Sequence, residues 1–162
     1  ADPWCWKNKA RQDEIMRLPV NVEKLIPQKA PMRIVDRLLT VSERAATAEL
    51  VVPKDSPFVD AEGVLDDAAY MEIVAQSAAA MNCFRTKRNG KEQEGVLLGA
   101  RSFEILGRAR VGDRLTVSLF KQTRFGEFGI VEGTVSRNGD VLAKGEIKIW
   151  HKAEAATSSA GG

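Results

Sequence analysis

The stretch PFVDAEGVLDDAAYMEIVAQSAAAMNCF, Pro57 to Phe84, decides the fold. From Ala68 onward it is built almost wholly of Ala, Met, Ile, Val, Tyr, Phe and Cys, with Glu72 and Gln76 one helical turn apart and Asn82 near the end. A helix that apolar on every side is expected to be wrapped by other structure rather than laid on a surface. A carboxylate in such a helix is costly to bury unless it is paired, hydrogen-bonded or held protonated. Glu72 therefore has either a partner or a chemical task. Asp66 and Asp67 stand where short acidic side chains accept the first free backbone N–H groups of a helix and complement its dipole. The helix is expected from about Asp66 to Arg85, about 28 to 30 Å long. KRNGKEQEG, Lys87 to Gly95, then breaks it at Asn89-Gly90.

On both sides of this helix the pattern turns extended. Arg37–Ser42 and Ala45–Val52 read as two strands around a short turn at Glu43-Arg44, the second alternating Ala46, Ala48, Leu50 and Val52 against Thr47, Glu49 and Val51. After the helix come Gly95–Ile105, Arg114–Gln122, Glu127–Ser136 and Val141–His151. The last two are joined by RNGD, Arg137 to Asp140, in which Asn138-Gly139 tolerates positive φ at both positions and so makes a tight hairpin. Two strands, one long apolar helix and four strands, with no strand–helix repeat, pack most simply as a single helix wrapped by one antiparallel sheet of five to seven strands. That is an α+β chain of hot-dog architecture, placed at residues 19–152. Residues 1–18, with Trp4, Trp6 and a charged segment, read as a leader. The last ten residues, AEAATSSAGG from Ala153, are too small and polar to order themselves and read as a disordered tail.

Composition narrows the function classes. At 162 residues and 44% hydrophobic content the chain is the size of one domain with one core. Its 24 basic and 22 acidic residues are spread along the chain, so no basic block announces nucleic acid or an anionic membrane. Cys5 and Cys83 lack metal-ligand spacing, and the chain has a single His, which argues against a disulfide framework and a zinc site. No apolar run reaches the roughly 18 residues of a membrane span, and the start lacks the order of a signal peptide. A soluble cytoplasmic protein is expected.

Three stretches carry a likeness. IPQKAPMRIVDRLLTV, Ile26 to Val41, resembles the opening of the β-hydroxyacyl-ACP dehydratase family. MEIVAQSAA, Met71 to Ala79, is similar to that family's central helix, in which an acidic residue is followed by x-x-Ala-Gln. LLGARSFEILGRARVGDRLTV, Leu97 to Val117, resembles its Gly-containing strand and the basic Gly-Asp turn after it. SPFVDAEG, Ser56 to Gly63, and LLGAR, Leu97 to Arg101, bring the likeness nearer to the dehydratases of aryl-polyene-type clusters. The resemblance implies dehydration of a (3R)-hydroxyacyl thioester borne on acyl carrier protein, with no cofactor. In the active members a His removes the α-proton and a helix Glu or Asp protonates the departing hydroxyl, while backbone N–H groups hold the thioester oxygen. Glu72 matches the helix acid. The resemblance further implies sites between two subunits, and a single sheet has edges that need covering, so a homodimer or a heterodimer with another hot-dog subunit is expected.

The departure from the family is equally plain. Its loop before the helix carries the His in a Gly-His-Phe-Pro-Gly phrase, whereas Pro53–Asp67 contains none and the chain's one imidazole is His151. Several readings therefore stay open. Glu72 is the acid, or a structural carboxylate bonded to a backbone N–H or to Tyr70. Gln76 is a ligand to substrate or to Glu72, or a core polar group bonding across a dimer. Asp60 and Glu62, with Gly63, lie where the missing His would come and either place a second carboxylate near substrate or are solvated turn residues. Cys83 reads as a small buried hydrophobe. Arg101, Arg108, Arg110 and Arg124 either dock an acidic carrier protein or form a solvated face. The chain is then a dehydratase without the usual base, the non-catalytic partner of a His-bearing dehydratase, or an acyl thioesterase whose helix carboxylate activates water.

Overall fold

The computed structural model describes residues 17–89 and 95–151; the side chains at 87–89, 95–97, 123–125 and 151 lie outside that description, as do most of the expected leader and all of the expected tail. In chain order the elements are β1 (Val20–Asn21), a 3-10 turn (Val22–Lys24), β2 (Arg37–Val41), β3 (Ala45–Val51), α1 (Asp67–Asn89), β4 (Gly95–Ile105), β5 (Arg114–Phe125), β6 (Phe128–Arg137) and β7 (Asp140–His151). The strands form one antiparallel sheet in the order β1-β2-β3-β5-β6-β7-β4, with β4 crossing over to pair with β7. One long helix on a seven-stranded antiparallel sheet is the α+β architecture that the segment order predicts.

Turn chemistry sets the registers. Asn138 and Gly139 both have positive φ, 51° and 88°, in the turn between β6 and β7. Gly126, at φ 57°, turns β5 into β6, so β5 runs three residues beyond its expected end at Gln122. Inward-facing Ala46, Ala48 and Leu50 of β3, Leu115, Val117 and Leu119 of β5, and Val131 and Val135 of β6 are buried together with Ile73, Val74, Met81 and Phe84 of α1. Gly133 of β6 and Gly145 of β7 lie opposite each other in the sheet. A methyl group at Gly133 would collide with the Val74 side chain, and one at Gly145 with the Phe103 ring. These two positions let the helix and Phe103 settle directly onto the strands.

Two expectations are corrected. The helix is not enclosed on every side: Ala68, Met71 and Ala79 are exposed, and Glu72, Ala75 and Asn82 are half-buried. Their spacing of three and four residues is one stripe of α1, left open because the sheet covers only the rest of the helix circumference. Alanines read as apolar yet are small enough to line such an open face. The carboxylate is accordingly at the rim of the core rather than in it. The second correction concerns the helix start. Asp67 directs its carboxylate to Arg108 at 3.2 Å rather than to the first backbone N–H groups, and Ala69 N–H is received by the backbone carbonyl of Asp66. Among the described residues no helix is long and apolar enough to cross a membrane.

Candidate active site

Glu72 lies in the second turn of α1 and Gln76 one turn further on. Gln76 is 1% exposed, and its amide makes four hydrogen bonds. Its Oε1 accepts the backbone N–H groups of Ile34 at 2.9 Å and Val35 at 3.2 Å. Its Nε2 donates to the Met32 carbonyl at 2.9 Å and to Glu72 Oε1 at 3.0 Å. Of the readings open in the sequence, Gln76 is thus the ligand of Glu72; it is buried, but its four hydrogen bonds are made inside the chain rather than across a dimer. The other oxygen of Glu72 has no hydrogen-bond partner among the described residues. Glu72 as a residue is half-buried and belongs to the open stripe, beside Met71, 42% exposed.

The loop entering the helix is built around Asp60. Asp60 Oδ1 accepts the N–H groups of Glu62 and Val64, both at 2.9 Å, and the Gly63 N–H is received by the Asp60 carbonyl at 3.1 Å. Gly63 needs the room of a residue without Cβ, its φ being 79°. Asp60 is therefore the maker of this turn, and Glu62 is exposed on it. The loop is zipped to the segment between β4 and β5: Leu65 N–H donates to the Ala109 carbonyl and Val111 N–H to the Gly63 carbonyl, each at 2.9 Å.

Tyr70 ties the same segment to the helix. It is fully buried; its hydroxyl accepts the Ala109 N–H at 2.9 Å and donates to the Gly107 carbonyl at 3.4 Å. Burial pushes its phenol above the ordinary value, outweighing the opposing bond from Ala109. Arg108 and Arg110, on either side of Ala109, are both exposed. Asp113 receives the Arg110 N–H at 2.8 Å and the Arg137 guanidinium at 2.7 Å, which hold its carboxyl below the usual range. Arg137 also donates to the Arg108 carbonyl at 3.2 Å. The structure brings Arg108, Arg110 and Arg137 together. Arg101 stands apart, on β4 against Glu146 at 3.1 Å, and Arg124 lies in β5 opposite Gly129 with its side chain outside the described residues. His151 closes β7 opposite Gly95, its side chain likewise outside. Arg137 was missed in the sequence, and Tyr70 was read there only as a partner of Glu72, whereas its hydroxyl bonds Gly107 and Ala109 and Glu72 bonds Gln76. The signal for Tyr70 was available: a lone tyrosine in an apolar helix brings a hydroxyl that needs a partner. Among the described residues no group of His, Cys, Asp and Glu could hold a metal ion.

A family model described as ApeP-like, ApeP dehydratase, matches residues 20–160. The chain belongs to the ApeP-like dehydratase family. Its function is accordingly that of a hot-dog dehydratase, the class to which its similar proteins also point. The 3-hydroxyacyl-[acyl-carrier-protein] dehydratase FabZ of Streptococcus thermophilus is 27% identical over 139 residues, covering 82% of this chain and 96% of that protein. FabZ of Streptococcus pneumoniae serotype 4 is 26% identical over 132 residues, covering 78% and 91%. Among solved structures, the dehydratase heterocomplex ApeI:P from Xenorhabdus doucetiae superposes with a TM-score of 0.73 at 23% identity over 86% of this chain and 96% of that one. A Pyrococcus horikoshii protein gives 0.64 at 20% identity, over 87% and 99%. Those two structures share the fold of this ApeP-like chain.

Proposed function

We propose that this ApeP-like chain dehydrates (3R)-hydroxyacyl thioesters of acyl carrier protein as one half of a two-subunit hot-dog enzyme, with Glu72 as the acid that protonates the departing hydroxyl. The observation that carries the reading is the asymmetry of Glu72, a half-buried residue of the helix's open stripe: Oε1 is bonded to buried Gln76, while the other oxygen has no hydrogen-bond partner among the described residues. A hydroxyl leaves readily only when protonated, and a carboxyl oxygen so presented is the group to do it. The α-proton needs a base as well, and Pro53–Asp67 supplies no imidazole. A second, His-bearing hot-dog subunit supplies it in this reading. Three things support the pairing: β4, an outer strand of eleven residues with one side unpaired among the described residues; exposed Met71, the chain neighbour of Glu72, and exposed Met32, whose carbonyl accepts the Gln76 amide; and the existence of a dehydratase heterocomplex among proteins of this fold.

Carrier docking falls to the segment before β5. Arg110 gives its backbone N–H to Asp113, while its exposed guanidinium forms no salt bridge among the described residues; Arg108 and Arg137 adjoin it, and exposed Leu106 and Val111 lie in the same segment. A basic surface interrupted by aliphatic side chains complements an acidic helical carrier. The reading is tested by incubating 3-hydroxyacyl carrier protein with the purified chain, alone and mixed with a His-bearing hot-dog subunit, and weighing the products. Enoyl product from the mixture is expected. Free acid in place of enoyl product would make the chain a thioesterase, and intact substrate in every mixture would remove the enzyme reading.

A further inference from the structure

The arginines of the docking segment lie among carboxylates. Val64 and Arg110 face each other in an antiparallel bridge, flanked by the bonds from the Leu65 N–H to the Ala109 carbonyl and from the Val111 N–H to the Gly63 carbonyl. The loop bearing Glu62, Asp66 and Asp67 therefore runs directly alongside the one bearing Arg108 and Arg110, and all five of these residues are exposed. Two of the three clustered arginines are neutralised within the chain: Arg108 meets Asp67 at 3.2 Å and Arg137 meets Asp113 at 2.7 Å. The guanidinium of Arg110 forms no salt bridge, and the carboxylates of Glu62 and Asp66 have neither a salt bridge nor a hydrogen bond among the described residues. Glu62 and Asp66 are each two residues from Val64, at most about 7 Å away along the chain. That is within the distance over which exposed charges act on a docking partner, about 10 Å at 0.1 M salt.

The fold uses only the backbone of these two acids. Glu62 gives its N–H to Asp60 Oδ1, while Asp66 gives its N–H to the Phe58 carbonyl and receives the Ala69 N–H on its own carbonyl. Their side-chain charges act on whatever docks beside Arg110. An acidic partner is drawn to Arg110 and repelled on either side of it, and discrimination between similar partners comes from such repulsion as well as from attraction. We infer that Glu62 and Asp66 are specificity-determining residues of the docking surface: they admit a carrier protein that offers a carboxylate to Arg110 and neutral or basic side chains to either side, and they disfavour carriers acidic along the whole docking helix. The inference deepens the reading of this segment as the carrier-docking surface and rests on it.

Calorimetric titration of the full chain with a holo acyl carrier protein of fatty-acid synthesis, chosen for an unbroken acidic docking helix, tests this at low and high salt. Glu62→Gln and Asp66→Asn are each expected to tighten binding about twofold to fivefold at low salt, and the gain is expected to shrink at high salt. The carrier is also varied, its acidic docking residues being changed to Lys one at a time. At the positions that face Glu62 or Asp66 this change is expected to tighten binding to the wild-type chain, and the gain is expected to vanish against the chain carrying both Glu62→Gln and Asp66→Asn. A melting curve checks that each variant is folded; if Asp66→Asn is not, Glu62→Gln with the carrier series decides. Binding that is unchanged or weaker in the folded variants, while Arg110→Glu still weakens it, would overturn the inference and leave the docking surface in place. Arg110→Glu without effect would put the docking surface elsewhere and remove both.

Discussion

Replacing Tyr70 by Phe takes away one buried oxygen and leaves the ring. That oxygen accepts the Ala109 N–H at 2.9 Å and donates to the Gly107 carbonyl at 3.4 Å. Without it, the Ala109 amide, which is buried, has lost its acceptor, and such a stranded group costs about 1 to 3 kcal/mol. In a chain of this length each kcal/mol moves the melting temperature by about 2 to 4 °C. Tyr70→Phe should thus melt about 2 to 12 °C below wild type when unfolding is followed by circular dichroism. The chain contains a single tyrosine, so the rise of phenolate absorbance in alkali reads this residue alone. Burial holds the folded phenol above its ordinary 10.0. The neutral form is thus the one that folding favours. Its contribution to stability is whole below the unfolded value and is lost as pH rises through the higher folded value. The native protein is expected to titrate at higher pH than the chain unfolded in urea, and Tyr70→Phe to lose this part of the alkaline destabilisation. A Phe variant that melts within about 1 °C of wild type, or a native phenol that titrates no higher than the unfolded one, would refute the clamp.

Gly133→Ala sets a methyl group 2.9 Å from Val74 Cγ2 and 3.2 Å from its Cβ. It is expected to destabilise the fold by about 1 to 3 kcal/mol, with part of that loss recovered when Val74→Ala is added; an unchanged melting temperature in urea or heat would contradict the close approach. Arg110→Glu is expected to weaken binding of the acidic carrier protein on the order of fivefold, less at high salt. Equal affinity of wild type and variant by calorimetry would place the docking surface elsewhere.

Much of the fold was legible because it rests on local signals. Asn138-Gly139 takes positive φ at both positions, as its turn type requires, and Gly95–Ile105 is a strand with the expected limits. Strand β1 was not legible, since two residues, Val20 and Asn21, show no periodicity; they become a strand only by pairing with Leu38 and Arg37. The open stripe on α1 was hidden for a different reason: Ala68, Ala75 and Ala79 count as apolar in any pattern, and only the extent of the sheet decides whether they are covered. The likeness to a known family singled out Glu72 and Gln76. Their arrangement was beyond reach, because the groups that orient Gln76 are the backbone atoms of Met32, Ile34 and Val35, which no side-chain pattern announces. Arg108 and Arg110 were visible as an alternating basic pair, whereas Arg137 joins them across the sheet through Asp113.

The central claim is that Glu72 delivers the proton to the leaving hydroxyl, and one substitution in one mixture reads it. Glu72→Gln is nearly isosteric and can still accept the Gln76 N–H group, so the fold is expected to survive, which a melting curve checks. The variant, paired with the His-bearing subunit and supplied with 3-hydroxyacyl carrier protein, is expected to form enoyl product about 10² to 10⁴ times more slowly than the wild-type pair. A Glu72→Gln pair that is folded and dehydrates at the wild-type rate would contradict the account.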